Sequence, residues 1–166
     1  MRRSSIPANG HRAGGCLRPL FLGAALALGP LFAMTAAHAG EARTDGLHLS
    51  DGWIRMIIPA RPAAGYFTLH NDGTRGRALV AASSPACGRM MLHRTGDGNG
   101  ADRMVPIARV DVPAGGTVRF APHGHHLMCM APDDGMMKVG GTVPVTLRFS
   151  DGADLTARFT VRGAGG

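Results

Sequence analysis

From Leu47 onward, short apolar or alternating runs are cut at close, regular intervals by clusters of turn residues, and this punctuation restricts what the chain can fold into. The runs are LHLSDGWIR, AAGYFTLHN, RALVAASS, GRMMLHR, DRMVPIA, GTVRFAP, HHLMCMA, TVPVTLRF and DLTARFTVR. Between them stand NDG, GDGNG, PAGG, PHG, PDDG, VGG and SDG. Glycine and asparagine supply positive φ and proline a fixed φ, so each cluster reverses the chain rather than merely interrupting it. No run sustains a helical period, whereas VTLRF and TARFTV alternate as half-buried strands do. Strand-length runs at this spacing predict an all-β sandwich or barrel. There is no internal repeat, low-complexity block or linker, so one domain is expected over residues 40–162, with 163–166 a frayed tail.

The segment before this domain has a different character. Arg2, Arg3, Arg12 and Arg18 precede the apolar run Leu20–Met34, which ends in TAAHA with Ala37 and Ala39 in the small-residue positions of a cleavage site. Basic, apolar and small stretches in that order read as a signal peptide over residues 1–39, and so as export. The run is short for a membrane span and contains Pro30, so no stable insertion is expected after cleavage. Cys16 precedes the run, whereas a lipid-attachment cysteine would follow it. The whole chain carries 18 basic and 11 acidic residues. Four of the basic residues and none of the acids lie in the leader, which leaves the mature part at +3. Its arginines are scattered rather than gathered into the basic stripe that nucleic acid requires, and no nucleic-acid partner is expected. About 127 residues are enough for one core.

Two cysteines lie beyond the leader, Cys87 and Cys129. In an oxidising compartment they form either a bridge or two buried thiols. Their separation in space decides between these, and sequence does not give it. They lack the C-x-x-C spacing of a redox motif. No Ser/His/Asp set or carboxylate pair stands out, so no enzymatic activity is expected.

The stretch HGHHLMCM, His123–Met130, concentrates donor atoms without a charged side chain. On a strand, His126, Met128 and Met130 share one face, and His125, Leu127 and Cys129 the other. Soft thioethers select Cu(I) and imidazole also suits copper, while thioethers fit Zn²⁺, Ca²⁺ and Mg²⁺ poorly. An isolated His-x-Met is ordinarily a core strand with an adaptable methionine. This pair is not isolated. His93 and Met104 flank GDGNG on two runs that form a hairpin or neighbouring strands, and the four residues together read H-x10-M-x21-H-x-M. With six histidines and eight methionines beyond the leader, that spacing arises by accident roughly once in a thousand such chains.

The pattern resembles the copper-ligand signature of the periplasmic copper chaperones called PCuAC. DGWIR, AAGYFTLHN, ASSPACGRMMLHR, VPAGGTVRFAPHGHHLMCM and KVGGTVPVTLRF resemble successive blocks of the same family across nearly all of residues 50–150. The resemblance implies a cupredoxin-like Greek-key β-sandwich in the periplasm. It implies one Cu(I) per chain, held by His93, Met104, His126 and Met128. It also implies delivery to the CuA centre of cytochrome c oxidase, with subunit II or its assembly factors as partner. Passive copper buffering or resistance shares these ligands, and a cupredoxin electron carrier is the further alternative. The segment between Trp53 and Gly65 is shorter than in many members, and the His- and Met-rich C-terminal extension of some members is missing. His125 stands where an aromatic is common, and Cys129 where an aliphatic is common. Outside the four ligands, His70, His123 and His125 are expected at the surface. Met130 is expected to shield the site or pack. In each doublet, Met90–Met91 and Met136–Met137, at most one residue faces a given side of a strand, and these methionines are expected as core or as an apolar collar around the site; Trp53 is expected as a core anchor.

Overall fold

A computed structural model of the chain describes residues 42–96 and 103–164. Residues 1–41, where the leader is expected, and residues 165–166 of the expected tail lie outside the described residues, as does most of GDGNG. Within them the fold is all-β. The strands are β1 (Ala42–Thr44), β2 (Leu47–Arg55), β3 (Ala63–Asn71), β4 (Arg77–Ser83), β5 (Cys87–Gly96), β6 (Arg103–Pro106), β7 (Val110–Val112), β8 (Thr117–Phe120), β9 (His125–Pro132), β10 (Thr142–Phe149) and β11 (Asp154–Arg162). Strands β2, β3, β10 and β11 coincide with runs bounded by turn residues in the sequence. β1 and β7, three residues each, were not legible there.

Hydrogen bonding links the strands in the order β6-β5-β9-β8-β3-β2-β11-β10-β4-β7, with β1 on β2 and β9 also paired to β3. The pairs β2–β11 and β8–β9 are parallel, the others antiparallel. The β2–β11 pairing joins two halves that close over one core. Alternation puts Val143, Val145, Leu147 and Phe149 of β10 and Leu155, Ala157, Phe159 and Val161 of β11 inside. From the other half come Leu49, Ile54, Phe67, Leu69, Leu92 and Leu127. Phe67 of β3 meets Phe159 of β11 edge-on at 5.7 Å and stacks on Phe120 at 4.2 Å. This is the sandwich that the regular turn punctuation predicts.

One irregularity positions the functional face. The β2–β3 register shifts between Ser50 and Trp53, with Asp51 at φ 55°. A bulge of one residue inverts the parity of the strand. Leu47 and Leu49 point inward before it, and Ile54 and Met56 inward after it. Gly52 sits at the bend because a Cβ there would lie 3.0 Å from the Phe159 ring. Trp53 is thereby turned outward, which corrects the expectation of a core anchor. It is half-buried on the outer face, with its ring 4.6 Å from Tyr66 and the Arg162 guanidinium 4.8 Å above it. Of the methionine doublets, Met90 and Met137 lie in the core and Met91 is half-buried, whereas Met136, in a turn rather than a strand, is exposed.

Cys87 and Cys129 form a disulfide between β5 and β9, with Cα atoms 5.4 Å apart. The register that pairs Met90 with Cys129 brings the two within bridging distance. Both lie on the core side.

Candidate metal centre

Strand β9 runs between β5 and β3, and its register aligns the donors. His126 pairs directly with His93 of β5, and Met128 lies between Met91 of β5 and Ala64 of β3. On the inner side of β9, Leu127 and Cys129 are fully buried, so His126 and Met128 belong to the outer side, as alternation predicts. The His93 and His126 rings stand 5.7 Å apart, nearly parallel at 24°. Both are buried although they face away from the core. Tyr66, on the outer side of β3 and itself buried, lies 6.5 Å from His126 and is covered by Arg55.

The hydrogen bonding of these rings is incomplete in an informative way. His126 Nδ1 lies 3.1 Å from the Gly124 carbonyl oxygen, which can only accept. The proton therefore sits on Nδ1 and the lone pair on Nε2. That Nε2 is buried without a partner, and so is Nδ1 of His93. A buried polar atom left unpaired costs about 1–3 kcal/mol, and two in adjacent rings mark a place where an electron-pair acceptor fits. Burial, then the neighbouring His126, holds His93 below the ordinary imidazole value. A lowered value keeps this ring neutral at neutral pH, as a metal ligand must be.

The thioethers converge separately. Met104 of β6, opposite Thr95 of β5, is 59% exposed. It lines a cavity of about 280 Å³ together with Met128, Ala64, Pro62, Arg55, Arg61, Ile57 and Ile58. The structure thus pairs the imidazoles of His93 and His126 across β5 and β9. It gathers the sulfurs of Met104 and Met128 around one opening, and β9 joins the two sets through His126 and Met128. Among the described residues no three His, Cys, Asp or Glu side chains come together. Beside the histidine pair, the nearby methionines offer soft sulfur donors.

The other sequence candidates fall outside this group. His123 occupies the tight turn between β8 and β9 at φ 62°. His125 lies on the opposite side of β9 with its ring 5.6 Å from Phe120, and burial, Arg94 and His126 lower its pKa. Met130 is half-buried opposite Arg89 on the site's side. Sequence reasoning missed Tyr66 and the Ile57–Ile58 rim. The outward alternate position of Tyr66 in AAGYFTLHN was the available signal.

Replacing Met104 with leucine preserves volume and apolarity and removes one sulfur. At this exposed position folding should be unaffected, while Cu(I) affinity falls roughly ten-fold, about 1.4 kcal/mol. Competition against a chromogenic Cu(I) chelator measures the change, and equal affinities would remove Met104 from the donor set.

Comparison with known proteins places the chain in a family and relates its fold to solved structures. Residues 47–161 match the family described as "Putative lipoprotein LpqE-like". A protein of Leifsonia xyli subsp. xyli described as a putative lipoprotein is 35% identical over 115 residues, 67% of this chain. The match spans 66% of that relative, just under two thirds of its length. Among solved structures, the copper-bound PCuAC domain of PmoF2 superposes with a TM-score of 0.63 at 19% identity, over 74% of this chain and 97% of that one. The Cu(I) form of DR1885 from Deinococcus radiodurans superposes with a TM-score of 0.52 at 33% identity, over 67% of this chain and 74% of that one.

Proposed function

The chain belongs to the LpqE-like family, which is the PCuAC family, and from that membership we propose that it is an exported Cu(I) carrier. It binds one Cu(I) through His93, Met104, His126 and Met128 and passes it to the CuA centre of cytochrome c oxidase, directly or through an assembly factor. The observation that carries this reading is the buried pair His93–His126, each ring with an unpartnered nitrogen, next to the Met128–Met104 opening. His93 and His126 would supply the two imidazole positions, and Met104 and Met128 would supply sulfur. Such ligands are neutral, so the ion leaves without any donor having to be reprotonated. Copper is the cargo, and no catalytic step is assigned.

The surroundings suit hand-over. Ile57, Ile58 and Met104 expose large apolar side chains at the rim, beside Arg55 and Arg61. A sulfur donor at the surface allows an acceptor to take the metal by ligand exchange, and the arginines favour an acidic partner. The bridged Cys129 offers no thiolate, which an electron-carrying blue-copper site needs, so that alternative is disfavoured. Export rests on the leader, on the lipoprotein description of the relatives, and on the bridge between Cys87 and Cys129. Among the described residues no helix is long and apolar enough to cross a membrane.

Titration with Cu(I) in the presence of a competing chelator should saturate at one equivalent. The loaded protein should then metallate a CuA domain of oxidase subunit II, read by the absorption of the assembled centre. Saturation without transfer to that domain or its assembly factors would leave a buffer rather than a carrier.

A further inference from the structure

A second histidine pair lies on the same outer side of this half of the fold, on different strands. His48 of β2 pairs across the sheet with His70 of β3, and their rings stand 5.1 Å apart at 25°. His70 Nδ1 is 2.9 Å from the Thr117 hydroxyl of β8, its neighbour in register. His48 Nε2 is buried without a partner. The features of the copper pair recur: two stacked imidazoles from adjacent strands, one ring fixed through Nδ1 by an oxygen, and an orphaned nitrogen. Two differences set the chemistry apart. None of the residues paired in register with His48 or His70 is a methionine or cysteine, so the donors are nitrogen and oxygen only. The ring separation is also shorter. Metal–nitrogen bonds of about 2.0–2.1 Å at a tetrahedral angle put two imidazole centres about 5 Å apart.

We propose that His48 and His70 form a second metal site, for a divalent first-row ion such as Zn(II), in which two imidazoles supply two positions and water or an incoming ligand the others. Imidazole without thioether suits such ions better than Cu(I). The Thr117 contact acts as an outer hydrogen bond that holds the His70 ring in one orientation. Two flanking strands carry an arginine, Arg43 of β1, opposite His48 and paired with Asp72 at 3.9 Å, and Arg119 of β8, opposite Thr68. The site does not depend on the Cu(I) reading.

Calorimetric titration with Zn(II) separates the two. With His93→Gln and His126→Gln removing the first pair, the protein should still bind one Zn(II). Adding His48→Gln and His70→Gln should weaken that binding at least ten-fold. The His48→Gln/His70→Gln protein alone should keep its Cu(I) affinity. Loss of Cu(I) binding in that variant, absence of Zn(II) binding in the first, or binding indifferent to His48 and His70 would each overturn the proposal. If the quadruple variant does not fold, ring resonances of His48 and His70 in the unaltered protein decide the matter. They should shift on Zn(II) addition, and unmoved resonances would refute the site. A protein that binds Zn(II) here yet takes up no Cu(I) would remove the carrier reading and leave this one standing.

Discussion

Replacing His126 with alanine should abolish useful Cu(I) binding, lowering affinity about a thousand-fold, or ~4 kcal/mol. The expectation follows from its position. His126 is 3% exposed, is oriented through Nδ1 by Gly124, and holds a buried nitrogen that has no other partner. It is also the residue through which β9 joins the imidazole pair to Met128. The metal-free variant loses the Gly124 contact and the packing of a buried ring, so its unfolding temperature should fall by several degrees while the fold is kept. The copper-dependent rise in unfolding temperature should vanish, since ligand stabilisation follows occupancy of the folded state. Thermal unfolding with and without Cu(I), alongside chelator competition, reads both effects. A variant that keeps its fold and retains parental affinity would show that copper is held elsewhere.

What could be read from the sequence follows the range of the interactions involved. Turn residues act locally, so the boundaries of β2, β3, β10 and β11 were legible as printed runs. The alternation of β9 is also local, and it separated His126 and Met128 from Leu127 and Cys129. The H-x10-M-x21-H-x-M spacing was legible because it resembles a family pattern, but the strand pairing behind it was not. His93 and His126 meet because β9 lies beside β5, a neighbour relation made by strands distant in sequence. The bulge at Ser50–Trp53 was invisible for a related reason. It is fitted to the Phe159 ring from the far end of the chain, and without the bulge Trp53 reads as an inward residue. β1 and β7 escaped because three residues carry no period. β7 is instead held by pairing to β4 and by the Asn71 side chain, which donates to the Val112 and Pro113 carbonyls. The thiol question was undecidable for the same reason as the histidine pairing, since both depend on the β5–β9 register.

Removing the disulfide should produce the largest loss of stability and almost no loss of copper binding. The bridge joins residues 42 apart in sequence, and closing a loop of that length restricts the unfolded chain by about 4 kcal/mol on the chain-entropy estimate. Cys87→Ala with Cys129→Ala should therefore cost about 3 kcal/mol, lowering the unfolding temperature by about 10 °C for a domain of this size. Denaturant or thermal unfolding checks the figure, and reduction of the unaltered protein should act in the same direction. Copper affinity should change less than about three-fold, or ~0.7 kcal/mol, because Cys129 faces the core while His126 and Met128 face outward on the same strand. The two measurements discriminate between kinds of site. If sulfur for copper came from thiolate, the double variant would lose binding and Met104→Leu would not. If it comes from thioether, the order reverses: Met104→Leu weakens binding in a fully stable protein, and the cysteine variant binds normally in a weakened one. Only the second outcome is compatible with the outward face of β9 as the copper site.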